Sequence, residues 1–305
     1  MKRIALLTLL GLLALAPAAG AAEKKMVVVT SIPDLADMAR KIGGDLVDVS
    51  SLATGVEDIH AVPMKPSFAV MLNRADVVVV LGLQAEHAFM PALIDAARNP
   101  KIIPGAPGYI DGSTFIIPLE VATVLDRAQG EQHPMGNPHF NLDPVMGKDI
   151  ARAIADGFSR NDPSHADVYK KNLDAYLAVL DQNIARWERE AAPLKGVKLV
   201  SYHPDLLYFA DRFGMEAVGT IELKPGVGPT PRHVQELEEL MKSQGVRVVV
   251  RERHFPAGLA ETIAQQTGAK LVELPVMVGG VPEAKDYVSF IDYNLQAMLR
   301  AVQGG

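Results

Sequence analysis

The sequence predicts an α/β protein of two similar domains, each with a four-stranded, mainly parallel sheet, joined by a long connecting helix. Three observations lead there. Short runs rich in Val, Ile and Leu recur along the chain, four in each half. Stretches with apolar residues at three- and four-residue spacing separate them, and such alternation builds parallel, right-handed βαβ units. Between the halves lies a mostly helical segment, 143–196.

The elements follow in order. Strands are expected at 26–31 (MVVVTS), 46–52 (LVDVSSL), 76–82 (DVVVVLG) and 101–105 (KIIPG) in the first half. In the second half they are expected at 197–203 (VKLVSYH), 216–221 (EAVGTI), 246–252 (VRVVVRE) and 270–275 (KLVELP). Several are continuously apolar, as strands covered on both faces are. Helices are expected at 34–44, ending in Gly-Gly, and at 66–75, 230–245 and 256–268, which begin near Pro, Ser or Thr. In the connecting segment, Leu173, Tyr176, Leu177, Leu180, Ile184 and Trp187 fall on one helical face, with a break at 161–165 (NDPSH). The domain boundaries read from this are 26–145, a connecting segment 146–194, and 196–303.

Residues 1–22 read as a cleaved signal peptide: Lys2 and Arg3, an apolar run from Ile4 to about Ala16, then small residues. That run is short of the ~20 residues a membrane-spanning helix needs, so a mature periplasmic protein that is not membrane-embedded is expected. The 305 residues carry a formal charge of −6 and no basic run, which argues against nucleic acid. Cysteine is absent, which excludes disulfides, thiolate zinc sites and a thiol nucleophile.

Ligands of open α/β sheets bind beyond the carboxyl ends of strands. His60 and His203 follow strands, and His139, in NPHFNLDP, precedes the connecting segment. Imidazole suits zinc and other borderline ions, and three histidines plus one further ligand make a common zinc shell. The same residue type in a loop is ordinarily just solvated or hydrogen-bonded, so spacing leaves both readings open. Glu252, after a strand, is either a cleft carboxylate that binds metal or orients a ligand histidine, or a salt-bridge partner of Arg251 or Arg253. His87 reads as a cleft-rim or helix-capping residue, His133 as a free loop residue, His165 and His233 as solvated helix starts, and His254 as a neighbour of the cleft.

On HAVPMKPS with ADVVVVLGL, on NPHFNLDP, on SYHPDLLYFADRFGM, on VVVRE and on YVSFIDYNLQAML, the mature chain resembles the periplasmic metal-binding proteins of zinc and manganese ABC importers, the TroA-like or cluster A-I family. The resemblance spans roughly 26–300. It implies one metal ion in an interdomain cleft, held by His60, His139 and His203, and delivery to an ABC permease and its ATPase by a monomeric receptor. Histidine at 203 points to Zn²⁺, where glutamate is usual in manganese members; Mn²⁺, Fe²⁺ or another divalent metal stays open. The chain departs from the family pattern at Asn141, where tryptophan is usual, and at Pro275, where an acidic ligand is common. A fourth ligand is then water or a carboxylate such as Glu252 or Glu273. The loop before NPH offers only His133, so a metal-scavenging loop is not expected. Two other classes remain: a zinc-dependent hydrolase with Glu252 as base, and an adhesin or metal chaperone.

Overall fold

The computed structural model describes residues 24–120, 134–223 and 226–304. The expected signal peptide and His133 lie outside the described residues. The first sheet holds β1 (Met26–Thr30), β2 (Val47–Ser51), β3 (Val77–Val80) and β4 (Tyr109–Asp111), in the order β2-β1-β3-β4. The second holds β5 (Lys198–Ser201), β6 (Glu216–Thr220), β7 (Val248–Glu252) and β8 (Lys270–Leu274), in the order β6-β5-β7-β8. All strand pairs are parallel and the two orders are the same. The carboxyl ends of β1 and β5, where the chain reverses its direction across each sheet, are therefore the places where loops part and side chains can converge.

The fourth strand corrects the sequence reading. Residues 101–105 form no strand, and β4 begins at Tyr109. Pro104 and Pro107 carry no N–H for a ladder. The chain instead turns repeatedly: Ile102 N–H donates to Asn99, Ala106 N–H to Ile103 and Tyr109 N–H to Ala106. Ile102 is buried, so its apolar side chain serves a turn rather than a sheet face. Gly108 permits the join, because a Cβ there would stand 2.5 Å from the Asp76 carbonyl.

Nine helices are seen among the described residues. Those of the first half are α1 (Pro33–Gly43), α2 (Pro66–Arg74) and α3 (Met90–Ala97). The connecting segment is two helices, α4 (Pro144–Asn161) and α5 (Ala166–Glu190), parted by a single 3₁₀ turn at Pro163–His165. Then come α6 (Leu207–Arg212), α7 (Pro231–Gln244), α8 (Ala257–Thr267) and α9 (Tyr287–Gln303). The expected apolar face of α5 is observed: Tyr176, Leu180, Ile184 and Trp187 are buried, and Leu173 and Leu177 pack against the core. One continuous core joins the first sheet, α1, α4, α5, α9 and one face of the second sheet. A smaller core, with Val200, Ile221, Leu237, Met241 and Ile263, lies on the other face of the second sheet. Among the described residues no helix is long and apolar enough to cross a membrane.

Candidate metal centre

His60, His139 and His203 come together. One ring nitrogen from each lies within 4.8 Å of the others, and all three side chains are buried. His60 Nε2 and His139 Nε2 are 3.1 Å apart. Nitrogens bound tetrahedrally at about 2.0–2.1 Å from a zinc ion stand a little over ~3 Å from one another. The apposition is therefore near the spacing one metal ion would impose.

Each ring is aimed by its other nitrogen. The loop carrying His60 is folded by two acids: Glu57 accepts from the N–H groups of Thr54 and Gly55, and Asp58 Oδ1 accepts from His60 N–H at 2.8 Å. His60 Nδ1 then meets the Ala85 carbonyl at 2.9 Å. That carbonyl is presented by a left-handed turn, with φ of 99°, 49° and 64° at Gly82, Leu83 and Gln84. Glu86 braces the turn by accepting from Leu81 N–H and Ser31 Oγ at 2.5 and 2.6 Å. Burial raises the Glu86 pKa despite these donors.

His139 is held by Asn137, whose Oδ1 accepts from the His139 backbone N–H at 3.0 Å and from Nδ1 at 2.9 Å. The Asn137 amide nitrogen donates to the Pro204 carbonyl at 2.9 Å, which fixes the orientation of the amide and ties this loop to the one after His203. His203 Nδ1 meets Glu222 Oε2 at 2.7 Å. Burial disfavours a charged His203 ring, but the Glu222 hydrogen bond and the nearby Asp205 and Asp58 outweigh it and raise its pKa above the ordinary value. Phe255 stacks on the same ring, with centroids 5.9 Å apart.

The other candidates fall elsewhere. Glu252 is fully buried and does not join the three nitrogens. Its carboxyl lies by the His203 backbone and Asp205, and burial with the Asp205 charge pushes its pKa well up. The alternative of a salt bridge to Arg251 or Arg253 is not seen either: both arginines pair with Glu273, which takes that residue out of the cluster as well. Pro275 accepts from Asn294 through its carbonyl. His87 is exposed, with its ring 6.2 Å from that of His60, so it stands at the rim. His254, its pKa lowered by burial, packs on Phe255. His165 and His233 are not simply solvated: His165 Nδ1 pairs with Asp162 at 2.7 Å, and His233 Nε2 meets the Thr220 carbonyl at 3.0 Å.

The sequence reading missed Glu222, Asn137 and the Ala85 carbonyl. Glu222 lies just past β6, so the strand-end rule that picked His203 also covers it. Asn137 sits within the NPHFNLDP motif itself. Nothing in a sequence marks a backbone carbonyl.

The chain matches a family model described as "ZnuA: Zinc-uptake complex component A periplasmic" over residues 28–301. It belongs to this family. The high-affinity zinc uptake system protein ZnuA of Brucella abortus (strain 2308) is 32% identical over 162 residues, covering 53% of this chain and 48% of that protein. The chain thus spans about half the length of the first curated relatives it matches. A crystal structure of a ZnuA protein is 28% identical with a TM-score of 0.76, covering 92% of this chain and 100% of the other. The Mn²⁺ complex of FpvC from Pseudomonas aeruginosa, at 23% identity and a TM-score of 0.79 over 92% and 99% of the two chains, shares the fold. The paired parallel sheets and the long connecting helix are the architecture of the ZnuA family.

Proposed function

We propose that this chain captures Zn²⁺ in the periplasm through His60, His139 and His203 and delivers it to an ABC permease driven by its ATPase. One observation carries the reading: every one of the three Nδ1 atoms faces an oxygen, from Ala85, Asn137 or Glu222. Such acceptors hold the proton on Nδ1 and turn each Nε2 lone pair toward a shared point, the arrangement by which proteins orient metal-ligating histidines. Three imidazoles favour zinc over manganese, which prefers oxygen ligands. Water completes the coordination, since Pro275 has no ligating side chain and Glu273 is paired with arginines.

The family description and the relative's role in zinc uptake support a transport receptor. In this reading it acts as a single chain, with the domains 26–145 and 196–303 around the site. Binding is favoured over hydrolysis by the place of Glu252, the base that hydrolysis would use. It is sealed from solvent behind His203. The test is a calorimetric zinc titration of the wild type and of the triple variant His60→Ala/His139→Ala/His203→Ala. One zinc bound by the wild type and none by the variant is expected. Equal binding by both would remove the site.

A further inference from the structure

We propose that Asp34 and Asn141 are positioning residues for the His139 side of this site, locking the turn that bears His139 onto the second half of the molecule. This rests on the three histidines being the ligands. Asn141 lies two residues beyond His139, inside the 3₁₀ turn Phe140–Leu142. Its amide donates to Asp34 Oδ1 at 3.2 Å and to the Val276 carbonyl at 3.0 Å. Its own carbonyl accepts from the Tyr287 hydroxyl at 2.7 Å. Asp34, on α1, completes the circuit by accepting from Val278 N–H at 3.0 Å through Oδ2.

The His139 turn is thereby fastened to α1, to the loop after β8 and to the start of α9. Asp34, Asn141 and Tyr287 are all buried. Hydrogen bonds in such surroundings are costly to leave unmade. The Asn141 side chain has two amide hydrogens, and each has an acceptor. A tryptophan at 141 could not bridge two acceptors, having a single N–H. His60 and His139 come from the first half and His203 from the second, so the distance between them depends on how the halves are fastened. The loop beyond Pro275 supplies no side-chain ligand here; through Val276 and Val278 it supplies fixation instead.

Three variants separate positioning from general stability: Asn141→Leu, Asp34→Asn and the double Asp34→Leu/Asn141→Leu. Zinc affinity is measured by chelator competition, and stability by thermal melts of the metal-free proteins. Asn141→Leu should weaken zinc by about tenfold or more, the usual effect of losing a residue that orients a ligand. Asp34→Asn should have a smaller effect, because one side-chain oxygen remains. The double variant, freed of a buried carboxyl facing an apolar neighbour, should regain stability relative to Asn141→Leu without regaining affinity. Wild-type affinity in the double variant, or affinity that rises and falls with stability across the set, would overturn the proposal. Should Asn141→Leu not fold, the double variant decides alone. Zinc binding that survives in the triple variant His60→Ala/His139→Ala/His203→Ala would instead remove the reading beneath it.

Discussion

Glu222 and His203 meet through a 2.7 Å contact between carboxylate and Nδ1, with both side chains buried. The two residues lie past the ends of neighbouring parallel strands, β6 and β5, so the sheet itself sets their separation. A carboxylate behind a ligating imidazole fixes the ring and raises its basicity. Glu222→Ala should therefore weaken zinc by roughly 10–100-fold. Glu222→Gln retains an acceptor oxygen and should lose less. Competition titrations against a chelator of similar affinity read both. An alanine variant that binds like the wild type would show that the contact orients nothing.

Asp34 gives a pH-dependent stability of definite sign. Burial raises its pKa to about 7 from 3.8, against the hydrogen bonds from Asn141 and Val278. Its folded form thus holds the proton more tightly than the unfolded chain does. The stability linked to that proton is complete below about pH 4 and is lost as pH rises through about 7. At 1.36 kcal/mol per unit, the span is on the order of 4 kcal/mol. Asp34→Asn cannot titrate. Its deficit relative to the wild type, measured by denaturant unfolding of metal-free protein, should shrink as pH rises from about 4.5 to 8. Parallel stability profiles over that range would rule the effect out.

The residues that were legible in the sequence are those whose chemistry is local. Continuous valine runs mark β3 and β7, and the face from Tyr176 to Trp187 marks α5, because burial imposes its own periodicity. The three histidines were legible because they sit where parallel sheets open. Residues 101–105 misled because apolar content was read without counting the prolines and the turn bonds they favour. Glu252 was ambiguous, because a carboxylate at a strand end looks the same whether it faces the cleft or the interior. Asn141 stood out only as a departure from a family pattern. Its reason, a bridge from Asp34 to Val276, joins residues far apart in the chain, and no local pattern encodes it.

The turn that presents Ala85 to His60 offers a stabilising change. Gln84 is exposed and adopts φ of 64°, a conformation that strains residues with a Cβ. Its carbonyl meets His87 Nδ1, a backbone contact that any residue retains. Gln84→Gly should relieve the strain, offset in part by the greater freedom of glycine in the unfolded chain, for a net gain of roughly 0.5–1 kcal/mol. Zinc affinity should not change. A loss of stability would mean that the Gln84 side chain makes a contribution larger than the strain.

Metal capture should change the shape of the molecule little. The helix α5 has 25 residues, a rod of about 37 Å at 1.5 Å per residue. It is fastened along its length: the Asn172 amide donates to the Ile42 carbonyl at the end of α1, and Trp187 Nε1 donates to Asp292 on α9 at 2.9 Å. Trp187 is buried in the core that both sheets share. A wide hinge motion would have to break these contacts and open that core, whereas small side-chain and loop shifts could close the remaining distance among the three histidines. Small-angle scattering of metal-free and zinc-loaded protein should therefore give superimposable profiles. Trp187→Ala, which removes an anchor and costs about 3–5 kcal/mol, should make the two profiles diverge. A compaction of the wild type on adding zinc, of the size seen when two domains close on a ligand, would show that α5 bends where its packing says it cannot.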